Sequence, residues 1–78
     1  MTTEILVDAR WLDPPEPMER VLDAIGRRAP GQRVRLLLHR EPMPLYGMLR
    51  QMGLVHRTRP IEDGCYEILI DDAPNEAP

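Results

Sequence analysis

The sequence predicts an α/β two-layer sandwich of the α+β type, ordered β-α-β-α-β-β, in which a mixed four-stranded sheet carries two helices on one face. Three observations carry that expectation. Short runs rich in branched residues alternate with two stretches whose apolar residues recur at i, i+3, i+4 and i+7. Proline or glycine stands at each junction between them. The last two strand-like runs are separated by Glu62-Asp63-Gly64, which suits a tight turn.

The first strand is read over Glu4 to Asp8, a short branched run closed by polar residues. Asp13 is then expected to cap a helix, with Pro14 at its first position and Glu16 three residues on in a capping-box-like arrangement. Met18, Val21, Leu22 and Ile25 give that helix its apolar face, and Glu16 to Arg20 and Asp23 to Arg27 give i,i+4 ion pairs on the other. Pro30-Gly31 stops it. Arg33 to Arg40 is the most strand-like run in the chain, and a strand, helix, strand unit of this length makes the first two strands parallel neighbours. A second helix begins near Pro44, with Leu45, Met48, Leu49 and Met52 on one face, and ends at Gly53 before apolar Leu54 in the manner of a Schellman cap. Leu54 to Thr58 and Tyr66 to Ile70 complete the sheet as an antiparallel pair. Residues 1–70 are therefore read as one domain, and 71–78, polar and without periodicity, as a disordered tail.

Composition narrows the function classes. Seventy-eight residues bury only about 60 to 65% of the surface their unfolded chain exposes, so the stability margin is thin. Cys65 is the single cysteine, which excludes an internal disulfide and a cysteine-rich zinc site. A reducing compartment, the cytoplasm, is the expected location, and no segment approaches the ~20 apolar residues that cross a bilayer. All ten basic residues are arginines, set against thirteen acidic ones and a net charge of −3 without a basic block, which argues against nucleic-acid binding. Lysine and serine are absent, so neither a Schiff-base lysine nor a serine nucleophile exists.

The run Asp8-Ala9-Arg10-Trp11-Leu12-Asp13-Pro14-Pro15-Glu16-Pro17 resembles the opening of the TusA/SirA-like superfamily of small bacterial sulfur carriers, with their strand, Gly-Leu-x-Cys-Pro-x-Pro turn and helix. Trp11 stands where that motif has glycine, and Pro14 where it has the persulfide-carrying cysteine. Such carriers need a thiolate at a helix N-terminus, where amides and dipole lower its pKa, and proline offers no such atom. The chain is more similar still to the bacterial domain of unknown function 2249 family, whose members resemble the carriers in fold but carry Pro-Pro-x-Pro at this turn. His39-Arg40-Glu41-Pro42-Met43-Pro44-Leu45-Tyr46 resembles that family's second motif, and the two together span roughly residues 5 to 70. The resemblance implies a two-layer fold with a mixed sheet and no stated activity. Fusion of some members to hemerythrin-like domains implies a link to oxygen or nitric-oxide physiology.

Two surfaces are candidates. One is the edge where strands one and two end, since open α/β sheets place ligands at strand carboxyl ends and helix N-termini point their amides there. Asp8, Arg10, Pro14, Pro15, Glu16, His39, Arg40 and Glu41 converge on it, equipped to bind an anionic group or move a proton, with His39 the side chain whose ordinary pKa lies nearest neutrality. The competing structural reading pairs Arg10 with Glu41 and has His39 brace the turn by bonding a loop carbonyl. The other is the face away from the helices, where alternation places Leu6, Arg35, Leu37, His39, Glu67 and Leu69, and where three leucines on adjacent strands make a patch. Trp11 is expected to pack against the helix start, with a partner anchor as the rival role.

A metal or haem site would draw on His39, His56, Met43, Met48, Met52 and Cys65, but their spacing fits no ligand pattern. Met48 and Met52 read as core residues and His56 as an exposed strand histidine without a special role. The leading functional reading is a non-enzymatic interaction or carrier-like module with a protein partner, a second copy of the chain included. The rival is an accessory protein of a redox pathway that holds a small ligand, haem or metal on the His39 loop. Sulfur transfer through Cys65 ranks last.

Overall fold

The computed structural model describes residues 4–74. Its elements are β1 (Ile5–Asp8), α1 (Glu16–Arg27), β2 (Val34–Leu38), α2 (Met43–Gln51), β3 (Leu54–Pro60), a short 3-10 turn (Glu62–Gly64) and β4 (Tyr66–Asp72). The sheet runs β1-β2-β4-β3, with β1 parallel to β2 and the other two pairings antiparallel. Both helices lie on one face, as the single core shows. Val7, Val34, Leu36, Leu38, Ile68 and Ile70 from the sheet are buried together with Val21 and Ala24 of α1 and Leu45 and Leu49 of α2. Leu36, Leu45, Leu49 and Ile68 have essentially no exposed surface, and each such burial contributes about 1.5–3 kcal/mol.

The helix starts differ from the sequence expectation. α1 begins at Glu16, two residues after Pro14, behind a cis Pro14-Pro15 peptide bond. Asp13 and Pro14 each precede a proline, and that position is pushed out of the helical region by the following ring. Asp13 therefore forms no side-chain cap; its carbonyl instead accepts the Glu16 N–H at 3.0 Å. The capping box is not made, and Glu16 turns to Arg20 at 2.9 Å, while Asp23 holds Arg27 at 2.8 Å. α2 starts at Met43, and its end is fixed by Gly53, whose φ of +75° is open to glycine and whose N–H reaches the Arg50 carbonyl at 3.1 Å.

The sheet continues past the point where a tail was expected. Asp71 and Asp72 belong to β4, opposite Val55 and Leu54. Asp71 holds Arg33 at 2.9 Å, and Asp72 accepts from the Arg28 guanidinium and from the Gly31 N–H at 2.7 Å. These two carboxylates tie the end of β4 to the entry of β2. The last part of the expected tail, 75–78, lies outside the described residues. Among the described residues no helix is long and apolar enough to cross a membrane.

Candidate functional site

β1 and β2 end side by side, with Asp8 opposite Leu37 and the Ala9 N–H on the Leu37 carbonyl at 2.9 Å. The chain then turns through Trp11 at φ +69°, a conformation that a bulky side chain adopts only when its surroundings hold it there. His39 provides the hold. Its Nδ1 accepts the Trp11 N–H at 2.9 Å, and the two rings stack with centroids 5.3 Å apart. Accepting at Nδ1 puts the neutral ring's proton on Nε2. Trp11 is 66% exposed and does not pack into the helix start as expected; it stands over His39 at the rim.

The charged residues of the edge sort themselves locally. Arg10 does not reach Glu41. It folds back on Asp8, with Nε and Nη2 on the two carboxylate oxygens at 2.9 and 2.8 Å and its own N–H at 3.2 Å, because a partner two residues away closes at less entropic cost than one on another loop. That fork holds the Asp8 carboxyl below the ordinary carboxylate range. Glu41 instead accepts from the Tyr46 hydroxyl at 3.0 Å, and the same hydroxyl meets Thr58 Oγ1 at 2.7 Å. Burial pushes the Tyr46 phenol up from its usual value. Arg40 is exposed and has no ion-pair partner among the described residues.

Between the two proline-rich loops lies a groove of about 250 Å³. Leu12, Pro14, Pro15, Pro17 and Met18 form one wall, Pro42, Pro44 and Leu45 the other, with Leu36 and Leu38 beneath and His39, Arg40 and Glu41 at the mouth. Both helices begin at this groove, yet they offer it few amides. Pro17 and Pro44 have no N–H, Glu16 and Glu19 bond to Asp13 and Pro15, and Met43 and Leu45 bond to Glu41 and Pro42. Most of the usual anion cradle of a helix N-terminus is thus spent on its own loop, with the N–H groups of Met18 and Tyr46 left over. The groove is an apolar slot with a polar lip, and its volume is below the ~300–1,000 Å³ of a small-molecule pocket.

Five of the edge residues singled out from the sequence, Pro14, Pro15, His39, Arg40 and Glu41, line the groove. Asp8 and Arg10 form their own clasp, and Glu16 borders an adjoining depression with Asp13, Glu19, Arg20 and Asp23. Leu12, Met18, Leu36 and Leu38 were missed; they carry no signal beyond that of core residues, because the core and the groove share them.

The open face is not a leucine patch. Register puts Leu6 opposite Arg35, Arg35 opposite Leu69, and Leu37 between Asp8 and Glu67, so every direct cross-strand neighbour of a leucine there is charged. Glu67 is 4% exposed, with Arg59 Nε on its Oε1 at 2.6 Å and Arg35 Nη1 3.6 Å from Oε2. The Arg59 bond holds its carboxyl below the ordinary range. Arg35 also reaches Glu4 at 3.2 Å. The face sets single leucines among ion pairs, with exposed Arg57 beside Leu69 lacking an ion-pair partner among the described residues.

The remaining candidates are scattered. His56 is half-buried and stacks on Tyr46 with centroids 3.9 Å apart and planes 6° from parallel, so it is a packing residue and not an idle surface one. Met52 is 46% exposed because it caps α2 past the last turn facing the core; Met43 is exposed too. Cys65 lies just past the Leu38–Tyr66 pair, hence at the same sheet edge as His39, but its thiol is buried 3.7 Å from the Asp63 carbonyl. Among the described residues no three His, Cys, Asp or Glu side chains gather in a metal-binding group.

The chain matches the sequence profile of a family described as "Uncharacterized conserved protein (DUF2249)" over residues 6–72. Its fold is similar to the crystal structure of a SirA-like protein from Desulfitobacterium hafniense, with a TM-score of 0.76 and 23% identity over 90% of this chain and 99% of the other. No curated protein sequence matches it.

Proposed function

The chain belongs to the DUF2249 family of uncharacterised conserved proteins, and on the geometry of its strand-end edge we propose that it is a non-enzymatic interaction module of a bacterial cytoplasm that docks a protein partner there. One observation carries the reading. Where the sulfur carriers that it resembles keep a reactive cysteine, this chain places Pro14 in the wall of an apolar groove flanked by exposed Trp11 and unpaired Arg40. An aromatic and an arginine beside an apolar slot are the residue types that dominate binding energy at protein interfaces. The open face supports the reading less, since charged residues separate its leucines. A small ligand on the His39 loop has less support too, because the groove beside it is an apolar slot of about 250 Å³.

The test is retrieval of partners from the native host by three baits: the native chain, Arg40→Glu and Leu37→Glu. Edge docking requires that a protein captured by the native chain be lost with Arg40→Glu and kept with Leu37→Glu. The reverse pattern would move the interface to the open face.

A further inference from the structure

From the groove and the depression next to it we infer the chemistry of the segment that docks: a peptide of a partner protein with an aliphatic or proline anchor flanked on one side by basic residues. The inference rests on the edge-docking reading. Three features lead to it. The groove is apolar and of one- or two-side-chain size, about 250 Å³. Of the helix-start amides beside it, two are lost to Pro17 and Pro44 and four bond to their own loops, leaving those of Met18 and Tyr46, so an anionic group would meet few donors there. The third feature fixes the flank. A second depression shares Pro14 and Pro15 with the groove and is lined by Asp13, Glu16, Glu19 and Asp23 against Arg20 alone.

Glu16 and Asp23 are engaged by Arg20 and Arg27 at 2.9 and 2.8 Å, while Asp13 and Glu19 have no ion-pair partner among the described residues. A chain seated in the groove and leaving over Pro14 and Pro15 therefore enters a field of uncompensated negative charge. Lysine or arginine at that point is attracted and carboxylate is repelled, which selects the partner as well as holding it.

The experiment is selection of a random-peptide display library on the immobilised chain, followed by Trp11 fluorescence titration with synthetic copies of the enriched peptides. Enriched peptides should share an aliphatic or proline anchor with Lys or Arg within a few positions on one side of it. Pro44→Glu, an exposed change that a helix N-terminus tolerates, should weaken them about ten-fold by putting charge on the groove wall. Asp13→Lys combined with Glu19→Lys should weaken them about ten-fold as well, and the milder Glu19→Gln by less, with circular dichroism confirming the helix in each. Enriched peptides that lack basic residues, binding indifferent to both sets of changes, no enrichment at all, or self-association that Pro44→Glu abolishes would each overturn the inference. If the host partner is lost with Arg40→Glu yet indifferent to Asp13→Lys with Glu19→Lys, edge docking stands and the basic-flank inference falls.

Discussion

His39 Nδ1 accepts the backbone N–H of Trp11 at 2.9 Å, joining the turn after β1 to the end of β2 across 28 residues of sequence. The stacked rings above that bond make it the latch of the edge. Replacing the acceptor should loosen the latch without unfolding the chain. His39→Leu should lower stability by about 0.5–1.5 kcal/mol, the range for one exchanged hydrogen bond, and should alter the Trp11 emission spectrum. Urea unfolding followed by circular dichroism measures the first and fluorescence the second; an unchanged emission spectrum would mean that the stack does not persist in solution.

Leu36 sits at the centre of the sheet with no exposed surface and also floors the groove. Leu36→Ala should cost about 2–5 kcal/mol, enough to leave so small a domain partly unfolded. Leu6→Ala, on a residue 60% exposed, should cost about 0.5 kcal/mol or less by the same urea measurement. Equal effects would contradict the assignment of the two faces.

Acid should destabilise the fold in a definite window. Asp8, Glu67 and Asp72 are held below the ordinary carboxylate range by Arg10, Arg59 and Arg28 respectively. The folded chain thus binds these protons more weakly than the unfolded one. Their contribution is fully present at neutral pH and drains as pH falls below about 4, through the depressed values. Urea midpoints should fall as pH drops below about 4, with a shallower fall in Glu67→Gln. A midpoint that rises on acidification would refute the pairings.

At the alkaline end the sign reverses in origin. Burial raises the Tyr46 phenol, so the folded chain holds that proton more tightly, and the associated stability is lost as pH rises beyond about 10. Tyr46→Phe should remove that alkaline dependence. At neutral pH it should cost about 0.5–1.5 kcal/mol through the lost bonds to Glu41 and Thr58. Identical alkaline limbs in the two proteins would contradict the half-buried placement of the hydroxyl.

What the sequence disclosed and what it hid divide along local and non-local lines. The period of 2 in Val34-Arg35-Leu36-Leu37-Leu38 and the period of 3.6 in α1 state which face each residue takes, and the structure keeps those faces. Pairing partners are another matter. Nothing near Asp71 or Asp72 announces that Arg33 and Arg28 wait for them, 38 and 44 residues away, so two strand residues looked like tail. Leu6 and Leu69 were legible as open-face residues, but Arg35 standing between them follows from register, which no single strand encodes. At the edge, the convergence of two proline-rich loops was readable, whereas the Asp8–Arg10 fork and the Trp11–His39 latch depend on how each turn closes.

The proposed docking site for partners is the groove between the two helix starts. Side-chain methyl NMR tests it most directly, with the protein partner retrieved by the native chain added to isotope-labelled protein. Docking at the groove requires the methyl signals of Leu12, Met18 and Leu45, which line it, to shift or broaden while those of Leu6 and Leu69 stay in place. Perturbation centred on Leu6, Leu37 and Leu69, with the groove methyls unmoved, would contradict it.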